Sequence, residues 1–152
     1  MASILGAHHT SFTVANLEQS LAFFRDILGF EVAVTREVRD DYFGRIVGLP
    51  GSAVKFALLR IPGGHHVELL EYLHPPGQSV VPRPCDPGSS HLAFLAADLP
   101  ALFEQLHAKG VDFVGPPVAI TAGPNRGGYA VYLRDPGGIL LEFIQPPTAA
   151  KP

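Results

Sequence analysis

The feature that most constrains this chain is that it runs through nearly the same pattern twice. "HTSFTVANL" over 9–17 lays on "HLAFLAADL" over 91–99, pairing His9 with His91, Phe12 with Phe94 and Leu17 with Leu99 at an offset of 82 residues (91 − 9). Internal repetition of this length marks a supersecondary unit that completes its core against a second copy. In the first copy, Ile4 to Val14 reads as a strand. Asn16 opens a helix with Gln19 as its capping-box partner, and Leu17, Leu21, Phe24 and Leu28 form the apolar stripe before Gly29 stops it. "FEVAVTREV" (30–38) is a strand, "RDDYFGRIVGLPG" a polar and aromatic loop, and "AVKFALLRI" (53–61) with "HVELLEYL" (66–73) a hairpin across Pro62, Gly63 and Gly64.

Residues 74–90, "HPPGQSVVPRPCDPGSS", carry five Pro and two Gly without periodicity, so they form a linker. The pattern then restarts. "SHLAFLAA" is a strand, Asp98 caps a helix with Leu99, Leu102, Phe103 and Leu106 on its stripe, and Gly110 ends it. "VDFVGPPVAI" is a strand broken by prolines, and "GYAVYLR" with "ILLEFIQ" is a hairpin around Asp135-Pro136-Gly137-Gly138. The expected organisation is α+β: a βαβββ module over 1–73, the linker 74–90, a second βαβββ module over 91–146 and a tail over 147–152, together one domain.

Composition narrows the function classes. A 152-residue chain with 47% hydrophobic and 16% charged residues is globular. A net charge of −3 provides no basic field for nucleic acid or an anionic membrane, and no apolar run approaches the ~20 residues of a membrane span. No signal-peptide pattern opens the chain, and Cys85 stands alone, excluding an internal disulfide and a multi-thiolate zinc site. A cytoplasmic protein is expected. Any metal is held mainly by His and carboxylates, and there are seven His.

Strand alternation places those groups. Thr10, Phe12 and Val14 share a face opposite His9, and Val67 and Leu69 oppose Glu68. Leu92, Phe94 and Ala96 oppose His91, while Leu141 and Phe143 oppose Glu142. The apolar face packs on the helices, and the other presents one His and one Glu in each copy. A carboxylate such as Glu68 within an apolar strand costs several kcal/mol unless paired or metal-bound. Two imidazoles and two carboxylates at matching positions point to a bound cation. His8 competes with His9, but only His9 has a repeat partner. His65 and His66 read equally as hairpin-rim residues, His74 as a linker residue, and Glu71 as an ordinary solvated charge.

The motifs "HTSFTVANLEQSLAFFRDILGFEV", "VELLEYL", "SHLAFLAADL" and "DPGGILLEF" resemble the vicinal oxygen chelate superfamily over residues 6 to 146. That group includes glyoxalase I, methylmalonyl-CoA epimerase, extradiol dioxygenases, and fosfomycin- and bleomycin-resistance proteins. The resemblance implies a curved mixed sheet forming a half-barrel cleft with helices outside, and a metal held by His9, Glu68, His91 and Glu142. Such a set suits Zn²⁺, Ni²⁺, Co²⁺ or Mn²⁺. It implies glyoxalase- or epimerase-like lyase or isomerase chemistry on a small α-hydroxy or keto substrate, with a proton shifted through a metal-bound enediolate. Glu142 serves as the base and Glu68 as its alternate.

An Fe²⁺ extradiol-type dioxygenase using His9, His91 and one carboxylate, and a metal-free drug-binding protein, are the competing readings. Thr13 and Tyr72 stand where bacterial-type glyoxalases grip glutathione, and "GLPGSAVKF" lacks the epimerases' second carboxylate, which argues against glutathione and CoA substrates. Tyr129 and Arg126 are candidate substrate contacts, with Arg39, Tyr42 and Phe43 in a lid loop. The resemblance also implies a homodimer, its site built within one chain or across two.

Overall fold

The structure, a computed structural model, describes residues 3–147. Only Pro147 of the expected tail falls within them. The chain divides into two compact units between Ser79 and Val80, inside the proline-rich segment.

The first unit runs β1 (Thr10–Thr13), α1 (Leu17–Leu21), β2 (Glu31–Val38), α2 (Asp41–Val47), β3 (Ala53–Arg60) and β4 (His66–His74). Its sheet has the order β1-β4-β3-β2, with β1 parallel to β4 and the other pairs antiparallel. A parallel first and last strand needs a crossover, and α1 supplies it. Asn16 accepts from the Gln19 N–H, as its sequence position requires. The helix then widens into a π-helical stretch over Ala22–Ile27. Consecutive Phe23 and Phe24 are both buried, whereas a regular helix turns neighbours by about 100°. With Leu17 and Leu21 they belong to the buried core that includes Ala57, Leu59, Val67 and Leu69. Each such side chain contributes on the order of 1.5–3 kcal/mol.

The second unit repeats the plan with β5 (Leu92–Leu95), α3 (Leu99–Ala108), β6 (Asp112–Phe113), β7 (Val118–Ala119), β8 (Tyr129–Arg134) and β9 (Leu140–Gln145). The order is β5-β9-β8-β6, with β5 parallel to β9 and β7 also beside β8. Pro116 and Pro117, which have no N–H to donate, separate β6 from β7 where the first unit has one eight-residue strand. Both sheets are mixed and open, so the architecture is α+β. Among the described residues no helix is long and apolar enough to cross a membrane.

Three local expectations are corrected. Residues 3–9 lie outside any strand, because β1 begins where Thr10 pairs with Val67. The expected loop after β2 contains α2, closed by Gly48 in the left-handed conformation. Within α2, Gly44 is required: a Cβ there would stand 2.8 Å from the Leu49 carbonyl oxygen. Glu71 is not an ordinary solvated charge. It is half-buried and accepts the Leu17 N–H at 2.9 Å, holding a donor that the first turn of α1 leaves unsatisfied.

Candidate functional site

Pairing β1 with β4 sets Ser11 opposite Glu68, and alternation carries His9, two residues earlier, to the same face. His9 Nε2 lies 3.4 Å from Glu68 Oε2. The second unit does the same: Ala93 is opposite Glu142, and His91 Nε2 lies 3.1 Å from Glu142 Oε2. The two carboxylate side chains are only 20% and 13% exposed, and in these pairs each meets an imidazole rather than a Lys or Arg.

These distances suit shared coordination. Two donors each about 2.1 Å from one ion stand roughly 3.0 Å apart at a right angle and roughly 3.4 Å apart at a tetrahedral angle. Each His–Glu couple has the spacing of neighbouring ligands, and mixed N/O donors suit first-row divalent ions. Among the described residues of either unit, no third His, Cys, Asp or Glu joins the couple into a metal-binding group. A single unit therefore offers two donors.

The surrounding groups orient the couples. His8 Nδ1 stands 2.7 Å from His9 Nδ1, engaging the ring nitrogen that does not face Glu68. Metal-binding imidazoles are commonly fixed through their second nitrogen in this way. The His8 ring also stacks on His66 at 6.5 Å, while His65 Nε2 meets Thr10 Oγ1 at 3.0 Å. His74 is exposed at the end of β4.

In the second unit Tyr132, opposite Glu142 in the β8–β9 register, brings its hydroxyl 3.3 Å from His91 Nε2. Burial, then the Glu142 charge and a hydrogen bond to Glu142, push the Tyr132 hydroxyl above its usual pKa of 10.0. It stays protonated at neutral pH and offers its O–H to the carboxylate.

The expected substrate contacts fall in different places. Tyr129 shares the β8 face of buried Val131 and Leu133, opposite Gln145, and lines a cavity with Phe103, Pro116 and Pro117. It stands on the face turned away from Glu142. Arg126 is exposed in the turn before β8. Phe43 reaches from α2 to within 6.1 Å of the Tyr72 ring, and Tyr72 belongs to the Glu68 face of β4; Tyr42 is exposed. Arg39 is tied to Glu37. Sequence reading missed Tyr132, although its signal was present: in "YAVYLR" the apolar Val131 and Leu133 claim one face and leave Tyr132 to the other.

Two βαβββ units, each with a His–Glu couple on one face of its sheet, define a class of α+β fold. The sequence profile of the Glyoxalase/Bleomycin resistance protein/Dioxygenase superfamily matches residues 6–143, and the chain belongs to that superfamily. It is 36% identical over 150 residues to a 2-epi-5-epi-valiolone epimerase from Actinomyces sp, covering 96% of this chain and 82% of that one. The crystal structure of a glyoxalase family protein from Bacillus cereus has the same fold (TM-score 0.83, 23% identity, 97% of each chain). So does the fosfomycin resistance protein FosX from Listeria monocytogenes, crystallised with Mn(II) and a sulfate ion (TM-score 0.63, 21% identity, 94% of this chain and 93% of that one).

Proposed function

We propose that the protein is a metal-dependent epimerase that moves a proton on the carbon beside a carbonyl of a small α-hydroxy or keto substrate. The observation that carries this reading is the pair of His–Glu couples, His9–Glu68 and His91–Glu142, at equivalent strand positions with the spacing of neighbouring ligands. The 36% identity to an epimerase supports the choice of reaction. His9, Glu68, His91 and Glu142 are the proposed ligands of a divalent ion such as Zn²⁺, Ni²⁺, Co²⁺ or Mn²⁺. Once bound, such an ion supplies positive charge beside two adjacent substrate oxygens.

The rest is assigned to the chain's own groups. Glu142 takes the proton from the carbon, with the Tyr132 hydroxyl orienting its carboxylate. Inversion requires a proton delivered to the opposite face of the carbon: Glu68, protonated from solvent before the turnover, donates it, and the proton taken by Glu142 passes to solvent. The proposed working unit is a cytoplasmic homodimer, in keeping with a single exposed cysteine, Cys85; size exclusion at two concentrations reports the assembly.

The test uses 2-epi-5-epi-valiolone as the first substrate in D₂O with metal-loaded protein. Wild type is expected to place deuterium on the carbon beside the carbonyl. Glu142→Gln is expected to keep substantial metal while losing roughly 10²–10⁴-fold in turnover. Normal turnover by that variant defeats the assignment of the base.

A further inference from the structure

The sheet of the first unit sets a guanidinium on the face of Glu68. Register runs Glu68 to Leu58 to Val34 across β4, β3 and β2, and Leu70 to Phe56 to Arg36 one pleat further along. Directly opposed residues share a face, so Arg36 stands on the same side as Glu68, two strands away. Leu58, Phe56 and Leu70 between them are half-buried and form an apolar floor. Two strand spacings of about 4.8 Å and two residues of rise at about 3.4 Å put the Cα atoms of Glu68 and Arg36 roughly 12 Å apart. A guanidinium on its flexible stem covers about half that gap.

Five of the other seven arginines in the described residues are committed, and the remaining two, Arg45 on α2 and Arg126 in the turn before β8, lie off the strands of the first unit's sheet. Arg25, Arg39, Arg60 and Arg83 form ion pairs with Asp26, Glu37, Glu31 and Asp86, and Arg134 donates to the carbonyls of Gly138 and Pro82. Arg60 shares the Glu68 face, opposite His66, but Glu31 already neutralises it. Arg36 is exposed and takes part in none of these pairs.

We propose that Arg36 recognises a terminal anionic group, a phosphate or a carboxylate, on the end of the substrate away from the oxygens held near His9 and Glu68. The inference rests on the epimerase reading for the reacting end, and it adds the substrate class: a chain of about five or six carbons ending in an anion. Guanidinium pairs with either oxyanion through parallel N–H donors, and such bonds are the strong ones.

Calorimetric binding to metal-loaded protein tests this with three α-hydroxyketone probes: ribulose, ribulose 5-phosphate and 5-ketogluconate, which ends in a carboxylate. At least one anionic probe is expected to bind tenfold or more tighter than ribulose, and whichever does so identifies the anion. Arg36→Ala is expected to abolish that preference, Arg36→Lys to keep part of it, and Arg60→Ala to leave it intact. Circular dichroism checks that each variant folds. Equal affinity for all three probes, failure of every probe to bind, or a preference that survives Arg36→Ala overturns the proposal. Deuterium incorporation, scored separately, reports on the epimerase reading, so anion preference without exchange would sink that reading and leave Arg36 standing.

Discussion

Glu142 gains its chemistry from its neighbours across the sheet. Tyr132 stands directly opposite on β8, and its hydroxyl is kept protonated by burial and by the carboxylate it faces. A hydrogen bond to a charged group is worth about 1.5–3 kcal/mol, or roughly 10–100-fold in rate where it orients the reacting carboxylate. Tyr132→Phe is therefore expected to lower kcat by that factor while metal content holds. Tyr129→Phe, on the far face of the same strand, is expected to change kcat little. The reverse order of effects in steady-state kinetics would show that the catalytic face of β8 is misassigned. The sequence made the choice between the two tyrosines legible through Val131 and Leu133. The bond from Tyr132 to His91 was not legible, because it joins residues 41 positions apart.

At the scale of elements, the repeat extends to a detail of how each helix is anchored. Glu71 accepts the Leu17 N–H at 2.9 Å in the first unit, and Gln145 accepts the Leu99 N–H at 2.7 Å in the second. Each lies three residues beyond its unit's site glutamate, Glu68 or Glu142, so one strand carries the site on one face and the helix anchor on the other. Glu71→Ala and Gln145→Ala are each expected to cost about 1 kcal/mol, lowering the unfolding midpoint by roughly 2–4 °C. Glu71→Gln should cost less, since an amide oxygen already serves at position 145. A midpoint unchanged in both alanine variants would mean that water replaces the anchor at no cost. The caps themselves, Asn16 and Asp98, were readable because a cap bonds three residues ahead. The anchors were not readable, since they bridge 54 and 46 residues. The helix α2 also escaped a reading by periodicity, being seven residues long with a glycine inside it.

For the whole molecule, the proposed ion would compensate the charge of the site carboxylates, so its removal should be felt in stability. Without it, two poorly exposed carboxylates lose a compensating charge. Chelation is expected to lower the thermal midpoint and added metal to restore it. Metal at a hundredfold excess over Kd contributes about 2.7 kcal/mol, on the order of 5–10 °C. A midpoint indifferent to chelator would favour the metal-free binding protein instead. By itself the sequence determined the duplicated unit, the helix stripes and caps, and the His and Glu at matching places in both copies. Each of these is written in local periodicity or in the comparison of one stretch with another. The tertiary structure alone decided that His9 meets Glu68 and His91 meets Glu142, that the Tyr132 hydroxyl reaches His91, and that Arg36 lies across the sheet from Glu68. Those relations depend on strand register between distant segments, where a slip of one residue turns every side chain to the opposite face.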